Sequence, residues 1–131
     1  MRFQPEWRVG IKAIGIDIAP ISNITRLVKP CDHKTLTLLF TPGEIDRCES
    51  DSNPYQSYAI CFATKEAVGK ALGTGLVGID WTEIEAKLIQ NQLIIHLHGK
   101  AKIQAKKRGV QEWLATWWCW DNHVFVHVIA Q

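Results

Sequence analysis

Period-two alternation of apolar and polar positions recurs along the chain. Ile14, Ile16 and Ile18 alternate with Gly15 and Asp17. This predicts a strand over residues 8–18 that buries its isoleucines and projects Asp17 from the opposite face. Leu93, Ile95 and Leu97 alternate with Ile94, His96 and His98, a second clear strand. Trp113–Trp118 and His123–Ala130 read as a terminal hairpin turning at Asp121-Asn122. Trp81–Ile84 and Ala86–Ile89 read as short strands, and Thr35–Phe40 as extended chain.

Helical segments lie between these. Ser22–Val28 forms a short helix broken by Pro30, and Met1–Trp7 is a loose lead-in. Thr41-Pro42-Gly43-Glu44 combines an N-cap residue, a proline in the first turn and an acid three residues after the cap, a strong helix start. A long helix spans residues 55–72, and Gly99–Arg108 forms a basic one. Antiparallel strands beside segregated helices predict the α+β class in a single domain.

The long helix carries the densest chemistry, in FATKEAVGKALGTGL at Phe62–Leu76. Glu66 and Lys70 are four apart on one face, with Lys65 on the same turn. A carboxylate there can hold a metal ion, and ammonium groups can hold phosphate. The same Glu–Lys spacing is also a common surface pair, worth about 0.2–0.5 kcal/mol. The helix ends at Gly73-Thr74-Gly75, whose glycines can take positive φ and approach a ligand closely. Asp17 adds weight, because an aspartate in a β-branched strand opposes local propensity.

The strand GIDIAPI, FTPGEIDRC at Phe40–Cys48 and the long-helix segment together resemble the sequence blocks of the holo-acyl-carrier-protein synthase family, the small type of 4′-phosphopantetheinyl transferase. The match runs from about Ile14 to the end of the chain. KEA-x-x-KA-x-GTG is its specific part, whereas GID and FTP-x-E are each weak alone. The resemblance implies transfer of the phosphopantetheine arm of coenzyme A to a serine of an apo acyl carrier protein, releasing 3′,5′-ADP with magnesium bound. It further implies that Asp17 and Glu66 are the metal ligands, that Glu66 and Lys70 are catalytic, and that Lys65, Lys70, Gly73, Thr74 and Gly75 contact the coenzyme A phosphates. Chemistry asks for such residues on its own account. Attack on a pyrophosphate builds charge on phosphoryl oxygens, and magnesium commonly takes only one or two protein carboxylates.

Some positions depart from the family pattern. An arginine usual six residues after the strand aspartate is Asn23, with Arg26 one turn on. An arginine usual before the phenylalanine of the last block is Cys61. A GKP-like turn is replaced by Asn91-Gln92-Leu93, and a serine-histidine pair by Trp118-Cys119. These departures motivate a second reading, a divergent module that binds coenzyme A or a carrier protein without efficient transfer. Which carrier is served, of fatty-acid, polyketide or peptide synthesis, stays open.

Composition narrows the field further. With 131 residues and 47% apolar content, the chain is long enough for one real core. A net charge of +2 gives no argument for nucleic acid. No apolar run reaches membrane-span length and no signal-peptide layout is present. Cysteines 31, 48, 61 and 119 are scattered without a C-x-x-C pair, which predicts reduced thiols in the cytoplasm. Cys61 and Cys119 fall near the expected site, yet small buried cysteines are the commoner case. His96 with His98, and His123 with His127, lack a third ligand at sensible spacing, so no zinc site is expected.

Lys100, Lys102, Lys106, Lys107 and Arg108 would present a positive stripe to an acidic partner or simply a solvated face. Trp113, Trp117, Trp118 and Trp120 crowd one segment, more apolar surface than a terminal hairpin easily buries. With the resemblance, this predicts a homotrimer with active sites between subunits.

Overall fold

The computed structural model of the chain describes residues 10–131; the Met1–Trp7 lead-in lies outside them. Strand β1 (Ala13–Pro20) is followed by helices α1 (Ile21–Val28), α2 (His33–Leu36), α3 (Pro42–Glu49) and α4 (Pro54–Ala71). After a 3₁₀ turn at Trp81–Glu83 come hairpin strands β2 (Ile84–Ile89) and β3 (Gln92–Leu97), helix α5 (Gly99–Lys107), and hairpin strands β4 (Trp113–Trp120) and β5 (His123–Ala130). The last hairpin and the first strand join as an antiparallel sheet of order β1-β5-β4, and β2-β3 stands as a separate two-stranded sheet. Mixed antiparallel sheet and helix is the α+β class expected.

Local chemistry explains the boundaries. Asp121 and Asn122 take φ of 51° and 59°, the left-handed pair that a tight two-residue hairpin needs and that Asp and Asn tolerate. The Thr41–Glu44 start forms a full capping box: Thr41 Oγ1 accepts from the Glu44 amide at 3.1 Å, and Glu44 Oε1 accepts from the Thr41 amide at 2.8 Å. Thr35–Phe40 is not extended. Asp32 Oδ1 accepts from the Thr35 amide at 2.8 Å, capping α2, and the chain turns on into Phe40, which is fully buried. Trp81–Glu83 is likewise a 3₁₀ turn rather than strand, held by the Asp80 amide donating to Glu83 Oε1 at 2.8 Å.

The buried face of β1 is the reverse of the one the alternation suggests. Ile14, Ile16 and Ile18 are each more than half exposed, while Gly15 and Ala19 are buried. The reason is the approach of α4. A Cβ on Gly15 would fall inside the carbonyl of Ala67, so the helix rests directly on the strand only because position 15 has no side chain. Val124, Val126, Val128 and Ala130 of β5 share that face and are fully buried. Ile14, Ile16 and Ile18 line up instead with Ile129, His127 and Phe125 of β5, and these with Leu114, Thr116 and Trp118 of β4. That face of the sheet is therefore largely apolar, with His127 and Thr116 at its centre, and open.

Candidate functional site

From Ser57 to Ala71, helix α4 is buried at every position except Phe62, Glu66 and Lys70. These recur at i, i+4 and i+8, so they form a single stripe along the helix. The stripe borders a cleft of about 430 Å³ lined by Asp17, Ile18, Ala19, Pro20, Asn23, Ile24, Leu27, Phe62 and Glu66. The close approach at Gly15 sets Asp17, two residues on, into the same cleft as Glu66. Strand and helix thus deliver the two acids from 49 positions apart in the chain.

Their electrostatics are those of two acids sharing one cleft with a lysine beside them. Glu66 is pushed above the usual carboxylate range, first by burial and then by the negative charge of Asp17, with Lys70 opposing both. Lys70 Nζ donates to Asp17 Oδ1 at 3.0 Å and to the carbonyl of Ile16 at 3.0 Å. The lysine side chain is 53% exposed and the aspartate 15%. No group of three or more metal-ligating side chains is found among the described residues. The donor set is two hard carboxylates with open space beside them, which fits magnesium completed by water and phosphate oxygens.

Lys65 does not join this site. One residue from Glu66, it points about 100° round the helix and is completely buried. Its ammonium donates to Glu44 Oε1 at 2.8 Å, to the Trp81 carbonyl at 2.9 Å and to the Ile84 carbonyl. All three donor protons are taken, so the expected phosphate contact from Lys65 is corrected: it binds α4 to α3 and β2. Glu44 completes the arrangement by accepting from the Ala86 amide at 2.8 Å through Oε2. Glu44 is the residue that sequence reading missed, since it registered only as a helix-capping acid.

The glycine turn is ordered by the helix end. Gly73 and Gly75 take φ of 78° and 59°; their amides donate to the carbonyls of Lys70 at 3.0 Å and Gly69 at 2.9 Å. The Arg108 guanidinium lies where a Cβ on Gly73 would stand, so the turn has a cation over it. At the cleft rim, Arg26 reaches back to hydrogen-bond Asn23 Oδ1, which brings a guanidinium to the position where the asparagine had seemed to remove one.

Cys61 is not poised to react. Cys61 Sγ lies 3.9 Å from Cys48 Sγ with both side chains buried. The hydrogen bond to Cys48 and burial push its thiol up. Cys119 is exposed on β4, with its thiol pushed up by partial desolvation. His98 Nε2 lies 3.1 Å from Glu85 Oε1, giving that histidine a surface partner.

Comparison with known proteins points to one family. The family model described as the 4′-phosphopantetheinyl transferase superfamily matches residues 13–124. A holo-[acyl-carrier-protein] synthase of Solibacter usitatus is 38% identical over 103 residues, covering 77% of this chain and 82% of the relative. The synthase of the same name from Chlamydia caviae is 47% identical over 73 residues, 55% of this chain and 60% of its own. Among solved structures, the Neisseria meningitidis synthase superimposes with a TM-score of 0.80 at 26% identity, covering 92% of this chain and 98% of that one. The Helicobacter pylori synthase in complex with coenzyme A gives 0.76 at 28% identity, covering 90% and 99%.

Proposed function

This chain belongs to the 4′-phosphopantetheinyl transferase superfamily, and on that premise we propose that its cleft moves the 4′-phosphopantetheine arm of coenzyme A onto a serine of an apo acyl carrier protein, with Asp17 and Glu66 sharing a magnesium ion. Relatives named holo-[acyl-carrier-protein] synthase and a related structure holding coenzyme A support the substrate pair. The observation that carries the residue assignment is the placement of Asp17 and Glu66 in one cleft, with Glu66 raised by burial and by its neighbour.

In the reaction the serine oxygen bonds to the phosphorus that carries the pantetheine arm. The bond from that phosphorus to the bridging oxygen breaks, and 3′,5′-ADP leaves with the electron pair. A bound magnesium ion would neutralise charge on the diphosphate and orient it. Glu66 accepts the serine proton directly or through water. Lys70 supplies a mobile point charge to the phosphoryl oxygens. Phe62, stacked on Trp81 at 4.9 Å between centroids, gives the cleft a rigid apolar wall. Arg26 offers a cation to an acidic carrier at the rim, and the Gly73-Thr74-Gly75 turn offers close approach to the diphosphate.

The open sheet face supports a homotrimer in which each cleft is completed by a neighbour. Ile14, Ile16, Ile18, Leu114 and Trp118 are 44–54% exposed and Trp120 is 71% exposed, all on one side of the sheet. Trp118 stacks flat on Phe125 at 5.2 Å, extending a continuous apolar surface. Light scattering at micromolar concentration should report three chains; a monomer contradicts this. No helix among the described residues is long and apolar enough to cross a membrane, and four free thiols suit a reducing cytoplasm.

Incubation with coenzyme A, magnesium and apo carrier proteins, read by mass, should show addition of the arm. Coenzyme A binding without transfer to any carrier would favour the divergent binding module instead.

A further inference from the structure

We propose that Lys70 stands in for the divalent ion at Asp17 when the site is empty, and that arrival of the ion releases its ammonium to the diphosphate. This rests on the reading of Asp17 and Glu66 as the metal pair.

The helical spacing would let Lys70 pair with Glu66, four residues earlier on the same stripe. It crosses to the strand instead. Its Nζ holds Asp17 Oδ1 at 3.0 Å and the Ile16 carbonyl at 3.0 Å, so the acid that is 85% shielded from solvent has a cation already in place. Without it, two carboxylates would face one another in the cleft with no counter-charge among the residues that line it.

A divalent ion alters that balance. Once Asp17 and Glu66 both bind it, the charge that held the ammonium is neutralised and the ion repels it at close range. The lysine side chain is half exposed, and its long stem can swing once those two hydrogen bonds are released. The cleft where a diphosphate would meet the ion is bordered by Glu66, one turn away. Ion and diphosphate binding are thereby linked through one side chain, which changes partner from carboxylate to phosphate. Lys65 cannot do this, because burial and three oxygen acceptors hold it.

The test is a brief acetylation of wild-type protein with an N-hydroxysuccinimide ester at rising Mg2+ without coenzyme A, each lysine being read by peptide mass. Lys70 should react slowly without the ion and several-fold faster at saturation, then slow again when coenzyme A is added with Mg2+. Lys106, exposed on α5, should stay constant as the reference. In calorimetry, Lys70→Gln should bind Mg2+ alone several-fold more tightly than wild type. An unchanged Lys70 rate at saturating Mg2+, no renewed protection with coenzyme A, or equal or weaker Mg2+ binding by Lys70→Gln overturns the exchange while leaving the metal pair standing. No Mg2+ uptake by the wild type removes the metal pair and the exchange together.

Discussion

Two lysines five residues apart on α4 hold a carboxylate each, and they do opposite work. Lys65 and Glu44 are both 0% exposed and every polar atom between them is satisfied. Lys70 and Asp17 keep the same kind of contact with the lysine 53% exposed. A closed pair in low dielectric cannot lose a partner without leaving a buried charge; an open one can exchange partners at small cost. The first ties three elements into a frame, and the second leaves the frame's one open stripe free to meet a ligand.

The comparison breaks most sharply at the closed pair. Lys65→Met should lose about 3–5 kcal/mol of stability in urea unfolding, because Glu44 is left as an uncompensated buried charge. Loss of less than about 1 kcal/mol, the range of an exposed pair, would erase the distinction. Gly15→Ala comes next, at about 1–3 kcal/mol for an overpacked contact. It forces β1 from α4 at the Ala67 carbonyl, so it should also weaken divalent-ion binding in calorimetry although it touches neither acid.

Much of this was legible in the chain. The Thr41 capping box, the Asp121-Asn122 turn and the long helix follow from spacing and residue type, whereas the expectation that Asp17 works with Glu66 rests on the family resemblance. What could not be read was which lysine faces inward. Lys65 and Glu66 are adjacent in sequence, and only the position of Glu44, 21 residues upstream, decides that the first is interior. The face of β1 was misread for a related reason. Three isoleucines outweigh a glycine in any hydrophobic pattern, yet α4 needs the closest approach, and the isoleucines remain outside. Thr35–Phe40 misled because Asp32 caps a single helical turn that alternation cannot reveal.

The smallest expected effect sharpens the open side. Folding raises the Glu66 carboxyl above its ordinary value of 4.5, so the folded state binds this proton more tightly than the unfolded one. The associated stability is present below the unfolded value and is lost as pH rises through the folded one. Without divalent ion, Glu66→Gln should therefore raise Tm slightly at pH 7–8, with the gain vanishing below about pH 4.5, the unfolded value. A lower Tm at pH 8 would mean that the glutamate is not held against its neighbour.

Calorimetric titration of Mg2+ into the wild type, Asp17→Asn and Glu66→Gln tests the shared ion most directly. One ion per chain in the wild type, with binding lost in each single variant while both remain folded by circular dichroism, is the expected result. Wild-type affinity retained in either variant would show that the two acids do not hold one cation.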